Sequence, residues 1–345
     1  MVIRPGASDP PTLRQVAELA GVSIKTASRA LRQEGYVAPA TAERVRTAAR
    51  SIGYRVNAIA SELRRGSVST LVGLITGDLA NPFYSRLARG VERELHPAGL
   101  QLVTGSSEED PGAEAALVDA LLQRRVRALL IVSAADDHSA LSDDLARGVP
   151  LVFLDRPPVG LLADSVLIDN AAGAAAAVRH LIAAGHRRIG IVSDLSRLAS
   201  QQDRLDGVAA AMAAAGIGDW QRWCRQDAHD IAAARLAVND LLDADPAPTA
   251  LLCLNNRITA GALTALQGRN GSATGAQATA LIGFDDFELS ELLGVTVVGY
   301  DAEDMGRAAA RLALERMDDP QRAVRKVVIP TRLIRRGSGE RAPAP

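Results

Sequence analysis

The sequence predicts a small all-α head followed by a larger α/β body of two lobes built on parallel sheets. Three observations carry this reading. Charge divides along the chain: residues 1–66 hold 11 Lys and Arg against 5 Asp and Glu, a net +6, and the remainder holds 28 against 35, a net −7. In the first part, apolar residues recur at helical spacing in three short stretches. From residue 70 onward, short apolar runs alternate with helical stretches. A length of 345 residues with 48% hydrophobic and 23% charged content fits two to three folded domains rather than a disordered chain.

In TLRQVAELA (12–20), Leu13, Val16, Ala17 and Ala20 lie at i, i+3, i+4 and i+7, one apolar face of a helix. Thr12 is placed to cap its start, and Gly21 permits the sharp turn that ends it. Ser23 can cap a second helix over 24–31, with Ala27, Ala30 and Leu31 turned inward. Its outward face carries Ile24, Lys25, Ser28, Arg29 and then Arg32. A third helix follows YVAPAT, with Val45, Ala48, Ala49 and Ile52 at the same spacing. Two short helices joined by a Gly turn and backed by a third form a helix-turn-helix unit. The cationic, hydrogen-bonding face of the second helix suits a DNA major groove, where Arg and Lys reach guanine edges and phosphates. A basic head on an acidic body points to a polyanionic partner for the head alone.

The body alternates strand and helix. LVGLIT (71–76), LQLVTG (100–105), ALLIVS (128–133), LVFLD (151–155), SVLID (165–169), RIGIVS (188–193), ALLCL (250–254) and TALIGF (279–284) read as buried strands. Helical stretches at 83–97, 112–124, 171–184, 202–215, 230–243 and 256–267 lie between most of them. Repeated βα units imply parallel sheets covered on both faces. Around ten strands exceed one comfortable core, which predicts two lobes, and ligands of such sheets sit beyond the carboxyl ends of the strands.

Several classes are set aside. No apolar run reaches the roughly 18 residues of a membrane span. The stretch MVIRPGASDPPT has no apolar core of a secretory signal, and Cys224 and Cys253 make no disulfide framework, so a reduced cytoplasm is expected. There is no P-loop, GxSxG, HExxH or Cys/His cluster, so no enzyme activity, cofactor or metal is expected.

The segment from TLRQVAELAGVS to ASELRRG resembles the DNA-binding head of the lactose-repressor (LacI/GalR-type) family of bacterial transcription regulators. The motifs VAELAGVS, T-x-SRAL, TAERV, IGY and N-A-x-A-x-x-L-RRG occur in order without a gap. The resemblance implies base readout led by Ile24, Lys25 and Arg29, with Ser23, Ser28 and Arg32 near the backbone. It implies a hinge helix over 57–66, beginning at Asn57, with Leu63 as a minor-groove wedge and Arg64 and Arg65 facing phosphates. Two departures stand out: Val56 replaces the family's Pro before the hinge Asn, and Ala38–Pro39 supplies no capping side chain to the third helix.

The body resembles the same family, whose body fold is periplasmic-binding-protein-like. The landmarks include NPFYSRLARGVE (81–92), VFLDR (152–156), QDRLDGVAAAM (202–212) and GFDDFELSELL (283–293). The resemblance implies three passages between lobes, with lobe 1 at about 70–168 and 299–326 and lobe 2 at about 169–298 and 327–335. Residues 1–11 and 336–345 are expected to be disordered, and 12–56 to form the head. Effector contacts are implied for Phe83, Tyr84, Asp155, Arg204, Asn255 and Asp285, chemistry that suits a sugar or polyol. Asn255–Asn256 stands where the family has Asn-Asp. Trp220, Trp223, Asp227 and His229, in a loop unlike the family's, are weighed as pocket-mouth residues against packing and surface roles. The expectation is a homodimeric regulator, in the repressor sense, reading a pseudo-palindromic operator under control of a small-molecule effector. The alternatives are a sugar-binding protein without a DNA role and, further off, a sugar-modifying enzyme.

Overall fold

The computed structural model describes residues 11–32, 34–54, 69–270 and 279–343. Two compact units result, one up to Ser69 and one from Thr70 onward. The expected hinge helix with Asn57, Leu63, Arg64 and Arg65, and positions 1–10 of the expected arm, lie outside the described residues.

In the first unit, α1 spans Leu13–Ala20, α2 Ile24–Arg32 and α3 Pro39–Ser51. Thr12 and Gln15 form a reciprocal capping box at the start of α1: the Thr12 hydroxyl accepts from Gln15 N at 3.3 Å, and Thr12 N donates to Gln15 Oε1 at 2.8 Å. Such a cap contributes about 1 kcal/mol. Gly21 sits at φ +65°, the left-handed position that closes α1. Ser23 Oγ accepts from Thr26 N at 3.1 Å and opens α2. Ala38 offers no side-chain bond to α3, and Pro39 fills its first turn. Val16, Ala17, Ala27, Ala30, Val45 and Ala49 close the small core. Alanine at the contacts lets short helices cross closely enough to bury it.

The second unit holds two six-stranded sheets. The first contains β1 (Leu71–Thr76), β2 (Gln101–Ser106), β3 (Leu129–Ile131), β4 (Leu151–Leu154), β5 (Asp164–Ile168) and β11 (Lys326–Ile329), in the order β11-β5-β4-β3-β1-β2 and parallel throughout. The second contains β6 (Ile189–Val192), β7 (Cys224–Arg225), β8 (Ala250–Cys253), β9 (Ala280–Phe284), β10 (Thr296–Gly299) and β12 (Arg332–Ile334), in the order β12-β10-β9-β8-β6-β7. Among the described residues its β10–β12 pair is antiparallel and its other pairs are parallel. Each sheet has an apolar cluster on both faces, which is why its strands read as continuous apolar runs.

Helix packing in the first lobe depends on glycine. Helices Pro82–Leu95 and Ala302–Asp318 approach so closely that a Cβ at Gly90 would lie 2.0 Å from Glu303 O, and one at Gly306 2.1 Å from Leu87 O. Cys224 and Cys253 are unpaired; burial pushes both thiols up, that of Cys224 to about 11.

Two expectations are corrected. β11 pairs with β5 in the first sheet, so the third passage between lobes falls after Ile329 rather than after position 326. Residues 336–343 of the expected disordered tail are packed on the second lobe. Arg336 pairs with Asp286 at 2.7 Å, Ser338 donates to Leu281 O at 2.5 Å and accepts from Thr296 N at 2.8 Å, and Arg341 donates to Thr279 O at 3.1 Å. These bonds satisfy backbone groups at the amino ends of β9 and β10, and the polar composition of the segment concealed them.

Candidate functional site

The carboxyl ends of the central strands in the two sheets face a common cleft. The last residues of β4 and β9 are followed directly by Asp155 and Asp285, held at φ +63° and +70°. Left-handed backbone is strained for any residue but Gly or Asn/Asp, and here it accompanies carboxylates that line the cleft. Asn255 caps the helix Asn256–Asn270, its Oδ1 accepting from Ile258 N at 2.7 Å. Asn81 caps the helix that carries Phe83 and Tyr84.

All six expected effector residues line this cleft: Phe83, Tyr84 and Asp155 from the first lobe, Arg204, Asn255 and Asp285 from the second. Arg204 is buried and fully engaged. It donates to Asn170 Oδ1 at 2.7 Å and to Leu254 O, approaches Asp285 Oδ1 at 3.5 Å, and lies 3.8 Å over the Phe284 ring. Tyr300 donates its hydroxyl to Asp285 Oδ1 at 2.8 Å. Burial raises the Asp285 carboxyl, and Arg204 and Tyr300 oppose that shift. Phe83 packs edge-on against Tyr300, with ring centres 5.9 Å apart.

Sequence reasoning missed much of the polar lining. Arg156 makes a buried bidentate pair with Glu109, at 2.6 and 2.9 Å. Asp194 accepts from Asn255 Nδ2 at 2.6 Å and pairs with His229 Nδ1 at 2.7 Å. The hydrogen bond to Asp194 raises the His229 imidazole above its ordinary value, against burial. Contacts cross between lobes: Arg257 to Asp78, Asn256 Nδ2 to Asn81 Oδ1 at 2.8 Å, and Arg197 to the carbonyls of Ala134 (3.0 Å) and Glu109. The free space left between these side chains is about 40 Å³.

Of the loop weighed for the pocket mouth, His229 alone lines the cleft. Trp223 is buried and donates to Pro246 O at 3.1 Å, Trp220 packs on the second core, and Asp227 accepts from Ser196 N at 2.8 Å. His186 is structural, bonded to Thr249 Oγ1 and Arg341 O, each at 2.8 Å. Among the described residues, no group of His, Cys, Asp and Glu is placed to hold a metal ion, and no helix is long and apolar enough to cross a membrane.

In the first unit, Ile24 (46% exposed), Lys25 and Arg29 are exposed on one face of α2, the Arg29 guanidinium lying beside the turn at Gly35, with Ser23 exposed at the helix start. Ser28 and Arg32 are half-buried at its flanks, and Ala27 and Ala30 point into the core.

Residues 69–337 match the family of periplasmic binding proteins and the sugar binding domain of the LacI family, and residues 12–57 match the LacI family of bacterial regulatory proteins. The chain belongs to the LacI family. It is 31% identical to the HTH-type transcriptional regulator GalR of Escherichia coli over 330 residues, 95% of each chain. It is similar to the crystallised lac repressor dimer bound to operator and the anti-inducer ONPF, with a TM-score of 0.77 and 26% identity, covering 96% of this chain and 99% of that one. The complex of the transcriptional regulator CelR with cellobiose is also similar, with a TM-score of 0.70 and 28% identity, covering 95% of this chain and 99% of that one. This LacI-family chain thus combines an exposed cationic helix face in its head with a polar cleft between two lobes of its body.

Proposed function

We infer that this LacI-family protein is a transcription regulator acting as a repressor, whose grip on an operator is set by a small-molecule effector in the cleft. Base contacts are assigned to Ile24, Lys25 and Arg29 and backbone contacts to Ser23, Ser28 and Arg32. Hinge contacts are assigned to Asn57, Leu63, Arg64 and Arg65. The effector, a sugar or sugar derivative, meets Phe83, Tyr84, Asp155, Arg204, Asn255 and Asp285. The observation that carries the reading is the face of α2, where two cations and a hydrogen-bonding serine surround an exposed isoleucine over a packed Ala27–Ala30 underside. A homodimer presents two such helices to a pseudo-palindrome, and repression needs only occupancy. Effector and operator are coupled by their differential affinity for two states, typically about 1–3 kcal/mol. The protein works in the cytoplasm as a regulator and not as an enzyme.

A gel shift of the full chain with genomic fragments tests this. The expected result is a salt-sensitive complex with selected fragments that one effector class strengthens or weakens. Binding to no fragment at low salt overturns it.

A further inference from the structure

The charge pairing inside the cleft narrows the class of ligand. Among the described residues three arginines line it, and each already faces a carboxylate: Arg156 faces Glu109 at 2.6 Å, Arg204 faces Asp285 at 3.5 Å, and Arg257 faces Asp78. Asp194 is occupied by His229 and Asn255. Arg197, at the rim, is spent on two carbonyls. The fifth lining carboxylate, Asp155, is different. It is 8% exposed, its side chain receives no hydrogen bond from the described residues, and its nearest cation is Arg156 Nε at 3.6 Å. That Nε is itself buried without a hydrogen-bond partner, because the rest of the guanidinium is turned to Glu109 and to Ser133 O. The surplus charge reaches its neighbours: Asp155 adds to burial in pushing up the Asp285 carboxyl and the Tyr300 hydroxyl.

Resting on the effector reading above, we propose that the cleft selects a polyhydroxyl ligand without negative charge, neutral or amine-bearing, and that Asp155 sets this selection. An ionised aspartate only accepts hydrogen bonds, so hydroxyl or ammonium donors satisfy it. A sugar acid or sugar phosphate brings a second anion against it where every lining arginine is already paired, and like charges facing each other out of water are strongly disfavoured.

Isothermal titration of the full-length protein at pH 7 tests this with ribose, galactose, glucosamine, gluconate and glucose 6-phosphate. The expected result is binding among the neutral and amino sugars, with the acid and the phosphate weaker by about 100-fold or more. Asn tolerates left-handed backbone as Asp does, so Asp155→Asn keeps the fold. That variant should reduce the discrimination to about tenfold or less. Asp155→Asn leaving the discrimination unchanged overturns the role of Asp155. If an anion binds best and Asp285→Asn weakens it, the charge selection falls and the effector reading stands. If none of the five binds, both fall.

Discussion

Asp155 and Asp285 occupy equivalent places in the two lobes. Each follows the last residue of an inner strand of its sheet, each has positive φ, and each lines the cleft from its own side. The two differ in company. Each faces an arginine at a similar distance, Asp285 the Arg204 guanidinium at 3.5 Å and Asp155 the Arg156 Nε at 3.6 Å, but only Asp285 also accepts a side-chain hydrogen bond, from Tyr300 at 2.8 Å, among the described residues. One carboxylate thus has its hydrogen bond supplied by the protein, and the other, among the described residues, does not.

Its pairing with Asp285 makes Arg204 a stability residue as well as a site residue. Arg204→Ala strands the buried Asp285 carboxylate and frees Asn170 Oδ1 and Leu254 O. Breaking a buried pair from one side costs about 3–5 kcal/mol. Urea unfolding should show a loss of that order for the transition of the body. A loss below about 1 kcal/mol would mean that Arg204 is not the partner holding Asp285.

His229 should make stability depend on pH. Its imidazole is raised by the bond to Asp194, with Glu109 adding and burial and Arg257 opposing. A raised histidine contributes stability that is fully present below its unfolded value of about 6.5 and disappears as pH climbs through the folded value. The gap in melting temperature between wild type and His229→Gln should therefore be wider at pH 6 than at pH 9. A gap that stays constant or grows with pH contradicts the Asp194 pairing.

Gly90 tests the helix crossing in the first lobe. A methyl group there meets Glu303 O, which is backbone and cannot swing aside. Overpacking of this kind costs about 1–3 kcal/mol, and Gly90→Ala should lower the midpoint of thermal unfolding accordingly. Wild-type stability in that variant would show that the helices separate freely.

Much of this fold is legible in the sequence because local signals agree. Thr12, Gly21 and Ser23 mark the ends of α1 and α2 by capping chemistry that acts within four residues. β1 spans the same residues as its apolar run, because a strand buried on both faces leaves no polar gap. The missed strands depend on distant partners. β7 is two residues long, β11 and β12 are half-exposed edge strands, and β10 gains its identity from β9 and β12. Missing β10 also hid Tyr300, which follows it. Arg156 and Glu109 are 47 positions apart, and Asp194 and Asn255 are 61 apart. No short-range pattern joins such residues; the sheet order does.

The DNA-reading assignment separates two kinds of contact on α2. Arg29→Ala should reduce preference for the operator by about 1–3 kcal/mol while lowering affinity for unrelated DNA much less. Equal losses on both would reassign Arg29 to phosphate contact.

Effector-controlled operator binding is measured by the affinity of the intact protein for a selected operator fragment, read by fluorescence anisotropy at about 50 and about 200 mM salt with and without a cleft ligand. Tight binding should fall by about 10³-fold or more over that salt range and shift by about five- to 150-fold when the ligand is added. Binding that ignores both salt and ligand would contradict it.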